Sequence, residues 1–105
     1  ACILLTGTGD NFCAGVDLSS FSDTSGAETH PFDAAARGVA ACSKPIVAAV
    51  KGISIGGGAT ILFHCDMVYV GERLRMRLPF ANLGLGPEGA SSYMLQANIG
   101  AQRAA

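Results

Sequence analysis

The chain has 105 residues, of which half are apolar and 14% are charged, and its net charge at pH 7 is −1. A near-neutral chain offers no basic face for nucleic acid or for an anionic membrane surface, so we expect neither partner. No apolar run approaches the roughly 20 residues that a membrane span needs. Because a domain takes roughly 100–200 residues, we expect one domain over residues 1–105.

The four cysteines, Cys2, Cys13, Cys42 and Cys65, form no CxxC pair. Their scatter argues against a zinc site and against a disulfide framework, and it suits a reducing compartment. All four lie among apolar or small residues, so we expect buried, unreactive thiols.

Both ends of the chain fall inside predicted elements. It begins without Met in a strand and stops at 100–105 in what reads as the opening of a helix. We therefore expect an internal piece of a longer protein, with a partial domain. Since targeting signals lie at termini, their absence says little about location.

Apolar runs alternate with turn residues in the order typical of an α/β fold. Runs bounded by turn residues, like the first strand, suit strands buried on both faces of a parallel sheet. Thr29 and Pro31 are typical of a helix start, as N-cap and first-turn residue, and the polar stretch 22–28 predicts a mobile loop. In chain order we predict strand 2–5, helix 32–42, strand 46–50, helix 59–64, strand 67–70, a turn-rich extended segment 76–88 and helix 90–99.

The glycine-rich stretch Ile55-Gly-Gly-Gly-Ala-Thr60 runs from an extended segment into a predicted helix. Backbone N–H groups at a helix start are free, and glycines let a ligand approach them closely. Such a place can bind a static anion or stabilise an oxyanion that develops during a reaction. The alternative is tight helix–strand packing alone. Gly7-Thr8-Gly9 lacks the third glycine of a dinucleotide site.

A second small-residue segment, Phe12-Cys-Ala-Gly-Val-Asp-Leu18, is a weak signal alone but specific in combination. It resembles the first oxyanion segment of the crotonase superfamily, FxAGxD[LI]. The stretch from Lys44 to Gly58 resembles that family's second segment, KPxIAAVxGxxxGGG, and Cys65-Asp66 opens a matching strand. The three segments stand in family order and the resemblance covers nearly the whole chain.

The resemblance implies a ClpP/crotonase-like spiral of β-β-α units and an acyl-coenzyme A thioester substrate. It implies an oxyanion hole made by the backbone N–H groups of Val16 and Gly57. It further implies a trimer or a dimer of trimers, with no metal and no cofactor besides the coenzyme A of the substrate. The implied substrate-binding residues are Ala14, Asp17, Leu18, Ile55, Gly56, Pro79 and Leu85.

The reaction depends on the acid and base beside that hole. Enoyl-CoA hydratases carry two glutamates, and the matching positions here hold Thr60 and Phe80. Neither side chain takes a proton at neutral pH, so two-glutamate hydration is not expected. The stretch from Pro79 to Ser92 is instead similar to Δ3,Δ2-enoyl-CoA isomerases of the peroxisomal type and their bacterial relatives, whose PEG glutamate is the catalytic base. Glu88 would be that base, in fatty-acid β-oxidation.

Glu88 has other interpretations. Its role could be limited to stabilising the following helix through the helix dipole, an interaction worth about 0.3–1 kcal/mol. An apolar pocket would raise its pKa and a helix N-terminus would lower it, and the sequence leaves the balance open.

Other functions also remain possible. The chain could carry out thioester hydrolysis or a hydration that uses Glu88 alone, or it could be a non-catalytic acyl-CoA-binding module like those in some chromatin proteins. We expect a cytoplasmic protein if it is bacterial, and a peroxisomal or mitochondrial one if it is eukaryotic, with the cytoplasm as the single best choice.

Overall fold

Two small parallel sheets organise the part of the chain that the structure, a computed structural model, describes: residues 1–19 and 30–105. The larger sheet has the order β1-β2-β4, with β1 at Ile3–Thr6, β2 at Ile46–Val50 and β4 at Met67–Val70. The smaller pairs β3, Ile53–Ile55, with β5, Arg75–Arg77. The predicted mobile loop 22–28 lies outside the described residues.

From β2 onward, successive strands alternate between the two sheets, and each pair is followed by helical turns. β2 leads into β3, and β3 leads into α2 (Gly57–Thr60), which continues as a 3₁₀ turn over Ile61–His64. β4 leads into β5 in the same way, followed by a 3₁₀ turn (Ala81–Leu83), α3 (Ser91–Ile99) and α4 (Ala101–Ala104). This repetition confirms the α/β class with parallel sheets and fits the expected β-β-α units.

Helix α1 spans Pro31–Ala40, where the sequence predicted a helix over 32–42 with Thr29 as its N-cap. The N-cap is His30, whose Nδ1 accepts a hydrogen bond from the Phe32 N–H at 3.2 Å. The prediction of Thr29 as the N-cap was therefore wrong, and Thr29 itself lies outside the described residues. Pro31 occupies the first turn as expected, where its missing N–H removes no helical hydrogen bond.

The core lies along β2, the central strand of the larger sheet. Its residues alternate between buried and half-buried, and Ala48 and Val50 pack with Leu62 of the 3₁₀ turn. Within the described chain β1 and β4 flank β2, so both are edges. Leu4 is 64% exposed and Tyr69 is 62% exposed. The prediction of a buried first strand was wrong here, because burial depends on what covers a strand as well as on its own residues.

The cysteines are less buried than the sequence predicted. Cys2 is exposed, and Cys13, Cys42 and Cys65 are half-buried. Burial raises the pKa of the Cys65 thiol, and the Asp66 charge raises it further. The described residues contain no group of three or more potential metal ligands. No helix in residues 1–19 or 30–105 is long and apolar enough to cross a membrane.

Gly38 gives a stability prediction for α1. It lies exposed inside the helix, and a Cβ built on it meets nothing within 4 Å. Gly38→Ala should raise the free energy of unfolding by about 0.4–1 kcal/mol, because alanine restricts the unfolded chain at no steric cost. Urea unfolding should show a higher midpoint with an unchanged slope. A lower midpoint would contradict the open environment of this position.

Candidate active site

The two glycine-rich segments lie side by side, although they are far apart in the chain. Cys13 forms an isolated parallel bridge with Ser54 of β3. The N–H groups of Phe12 and Cys13 both donate to the Ile53 carbonyl at 3.1 Å, and the Ile55 N–H donates to the Cys13 carbonyl at 3.0 Å. These hydrogen bonds extend the smaller sheet by one short segment and fix the two backbones relative to each other.

Gly15 and Gly58 allow this close approach. Gly15 has φ +96°, and a Cβ there would lie 2.7 Å from the Ile55 carbonyl oxygen. The same point is 3.6 Å from the backbone nitrogen of Gly57. A Cβ on Gly58 would lie 2.5 Å from the Cys13 carbonyl oxygen. Because the obstructing atoms are backbone, a side chain at either glycine would force the two segments apart.

The backbone N–H groups of Val16 and Gly57 have no acceptor within residues 1–19 and 30–105. Gly57 is the first residue of α2, where the N–H has no partner in the helix. The sequence predicted one helix over 59–64, but α2 has four residues and then tightens into a 3₁₀ turn. Because α2 is so short, its dipole is small. At the start of this helix the free Gly57 N–H group therefore matters more than the dipole.

A cavity of about 300 Å³ opens beside these N–H groups. Nine of the ten residues that the sequence analysis assigned to the site line it. Most of them are apolar or glycine, so the cavity suits an acyl chain better than a polar ligand. The nine are Ala14, Val16, Leu18, Ile55, Gly56, Gly57, Pro79, Leu85 and Glu88.

Asp17 is the predicted site residue that does not line the cavity. Its side chain is exposed, and its Oδ1 accepts a hydrogen bond from the Ser19 N–H at 2.9 Å. Hydrogen bonds from Ser19 hold the pKa of Asp17 below its ordinary value. The carboxylate therefore stabilises the turn that carries Val16 and Leu18, and does not face the cavity.

Glu88 reaches the cavity from the segment before α3 and is half-buried. Burial raises the pKa of its carboxyl, the negative charge of Asp33 raises it further, and His30 opposes both. The sequence left the balance open, and the structure favours the raised side. α3 begins at Ser91. The residue before it, Ala90, has a left-handed backbone with φ 52°, so Glu88 lies outside the helix.

Sequence comparison identifies the family of this site. Residues 1–105 match the sequence model described as enoyl-CoA hydratase/isomerase. The chain belongs to the enoyl-CoA hydratase/isomerase family. The resemblance to the crotonase superfamily is thereby confirmed over the whole chain.

Relatives in this family carry both hydratase and isomerase names. Mevalonyl-coenzyme A hydratase of Aspergillus fumigatus is 37% identical over 97% of this chain and 39% of its own length. Enoyl-CoA delta isomerase 2 of Rattus norvegicus is 34% identical over 97% of this chain and 28% of its own length. A solved enoyl-CoA hydratase/isomerase from Pseudoalteromonas atlantica T6c matches with TM-score 0.87 and 42% identity, over 98% of this chain and 41% of that one.

The chain therefore spans about two fifths or less of the length of these relatives. Family membership fixes the fold, and the particular reaction must be argued from the site. The similar proteins come from bacteria and eukaryotes alike, so the compartment stays a prediction. The expected trimer stays a prediction as well.

In this family member the two positions matched to the hydratase glutamates are both buried. Thr60 has no exposed surface, and its hydroxyl donates to the Gly57 carbonyl at 3.4 Å. Phe80 is 8% exposed and forms part of the cavity wall. Among the described residues that line the cavity, Glu88 carries the single carboxylate.

Four residues that line the cavity were not predicted from the sequence: Gly15, Arg77, Phe80 and Leu83. Gly15 and Phe80 are adjacent to Val16 and Pro79, which were predicted site residues, so adjacency was an available signal. Arg77 lies at the end of β5, and its carbonyl accepts the Gly56 N–H at 2.9 Å. Its place follows from pairing with β3, which no local pattern in the sequence reveals.

Proposed function

We propose that the protein is an acyl-CoA double-bond isomerase that converts a 3-enoyl-CoA into the 2-trans-enoyl-CoA. One observation carries the proposal. A largely apolar cavity presents two backbone N–H groups that have no acceptor among the described residues, together with a single carboxylate, that of Glu88. A reaction that moves a proton from one carbon to another needs one base and one oxyanion site.

The reaction has two steps in this proposal. The Glu88 carboxylate removes a proton from C2, and the electron pair of that C–H bond delocalises into a dienolate whose negative charge rests on the thioester oxygen. The N–H groups of Val16 and Gly57 donate to that oxygen. Glu88 then returns the proton at C4, which leaves the double bond between C2 and C3. The proton that leaves C2 returns at C4, so the reaction needs no co-reactant. Coenzyme A is part of the substrate.

The raised pKa of Glu88 suits this role. A base works best when its pKa approaches the operating pH, and burial moves a carboxylate in that direction. A positioned general base contributes about 10²–10⁴-fold in rate. Removal of one oxyanion donor costs about 10²–10³-fold, because such donors are already oriented towards the charge that develops.

An ultraviolet assay distinguishes isomerisation from hydration and from binding without reaction. Isomerisation creates a conjugated 2-enoyl thioester, so absorbance should rise when the full-length protein receives a 3-enoyl-CoA. Hydration by Glu88 alone is the second candidate, favoured by the similarity to the mevalonyl-coenzyme A hydratase. In that case a 2-enoyl-CoA should lose absorbance. Binding of an acyl-CoA without either change would indicate a non-catalytic module.

Asp33→Asn gives a pH prediction for the proposed base. Asp33 raises the pKa of Glu88, so its replacement should lower that pKa. A base must be ionised to act, and the acid limb of kcat/KM reports the base in the free enzyme. The acid limb of the pH–rate profile should therefore move to lower pH.

Asp10→Asn is the matched control. Asp10 lines a separate groove together with Lys51, Glu72 and Arg73, so the same chemical change there should leave the limb in place. A limb that stays fixed in Asp33→Asn, or moves equally in both variants, would contradict the assignment of that limb to Glu88.

A further inference from the structure

His64 contacts the backbone directly after the proposed base. Its Nε2 lies 2.7 Å from the Gly89 carbonyl oxygen, and the side chain is half-buried at the end of the 3₁₀ turn. We propose that His64 is a positioning residue that fixes the direction of the Glu88 carboxylate through this hydrogen bond. The inference deepens the proposed function and rests on it, because it concerns the placement of that base.

The backbone at this place needs an external constraint. Gly89 has φ +59° and Ala90 has φ +52°, so two consecutive residues lie in the left-handed region. Alanine rarely adopts that conformation, and a residue held there depends on its surroundings. The bend turns the chain between Glu88 and the start of α3. Whatever holds the bend also sets where the Glu88 side chain points.

In the part of the chain that the structure describes, the side chains of Thr60, Phe32 and His64 lie beside Gly89. A Cβ built on it would lie 3.1 Å from Thr60 Oγ1 and 3.4 Å from Phe32 Cε1. The Thr60 side chain and the His64 ring both approach Gly89, so both face it from the helical segment that begins at Gly57. Thr60 and Phe32 contribute contact alone, while His64 supplies a directional hydrogen bond.

The same helical segment also carries the proposed oxyanion donor. The Thr60 hydroxyl donates to the Gly57 carbonyl at 3.4 Å, and His64 lies at the other end of that segment. His64 therefore connects the Glu88 bend to the element that begins with the Gly57 N–H. The base and the oxyanion hole would keep a constant separation because both are anchored to one short helical segment.

The chemistry of the contact defines the variants. A carbonyl oxygen only accepts, so His64 must carry a hydrogen on Nε2. His64→Phe keeps an aromatic ring and removes the donor. His64→Gln removes the ring and places an amide N–H donor at similar reach.

Asn98→Leu is the matched control. The Asn98 amide donates to the Phe63 carbonyl at 2.9 Å, which ties α3 to the same 3₁₀ turn at a distance from the bend. A general loss of α3 docking would affect all three variants alike.

The experiment measures kcat and KM for a 3-enoyl-CoA with the full-length protein, after unfolding curves show that each variant is folded. A small misplacement of a catalytic group costs up to about 10²-fold in rate. His64→Phe should therefore lower kcat by about 10–100-fold with little change in KM. His64→Gln should recover most of that loss, and Asn98→Leu should keep the kcat of the unsubstituted protein.

A second readout separates this inference from the proposed function. Exchange of C2 protons of a saturated acyl-CoA with D₂O requires only the base and the oxyanion site. If the unsubstituted protein exchanges these protons without isomerising, the isomerase proposal fails, and the same variants measured by exchange decide the role of His64. If it does neither, both proposals fall. Unchanged kcat and exchange in His64→Phe, or equal losses in all three variants, would overturn the positioning role alone.

Discussion

Glu88→Gln is expected to lower kcat for isomerisation by about 10²–10⁴-fold while acyl-CoA binding stays close to that of the unsubstituted protein. Glutamine has nearly the same shape as glutamate, so the largely apolar cavity keeps its volume. The amide cannot accept a proton from C2, and no second carboxylate lines the described cavity to replace it. The loss should therefore appear in kcat, with KM nearly unchanged.

Glu72→Gln is the control for this substitution. Glu72 is exposed and lines the separate groove beside Arg73, so the same chemical change should leave turnover intact there. Turnover retained in Glu88→Gln would remove this residue from the mechanism. A parallel loss of acyl-CoA affinity would instead indicate that Glu88 supports the cavity wall.

The side-by-side placement of the two glycine-rich segments was expected only from the resemblance to the crotonase superfamily, because the segments are far apart in the chain and the first is a weak signal alone. A backbone N–H site needs small residues where two chains approach, and Gly15 and Gly58 are required by that approach. The three strands of the larger sheet were predictable from local sequence, since apolar runs between turn residues specify them, whereas β3 and β5 were not predicted as strands. β2 and β4 lie at the predicted residues, and β1 is shifted by one.

Several features that the sequence did not predict are non-local. Apolar residues in β1 predicted burial, yet Leu4 is exposed because β1 flanks the sheet in the described chain. Phe32 appeared only as an apolar residue of a helix, and its position beside Gly57 depends on how α1 packs against the 3₁₀ turn over Ile61–His64. Asp33 and His64 come close to the Glu88 segment in the same way. Residues that tune a site from other elements leave no local pattern.

Gly57→Val is the substitution with the second largest expected effect, and the structure changes the reason for it. The sequence suggested that a side chain at this position would intrude on the thioester. A Cβ built on Gly57 instead lies 2.7 Å from Phe32 Cε2 and 2.9 Å from Phe32 Cδ2. Either the ring moves or the start of α2 moves and carries the Gly57 N–H away from the oxyanion. We expect kcat to fall by about 10²–10³-fold, with weaker acyl-CoA binding as well.

A double-mutant cycle decides between the two reasons. If the collision with the Phe32 ring displaces the N–H, Phe32→Ala should recover part of the activity that Gly57→Val loses, and the two changes will not be additive. If the new side chain acts by touching the substrate, the losses should add. Gly9→Ala is the matched control, since a Cβ there meets nothing within 4 Å and should leave kcat unchanged. Full activity in Gly57→Val would show that the Phe32 ring gives way while the start of α2 stays in place, and would contradict the expected loss.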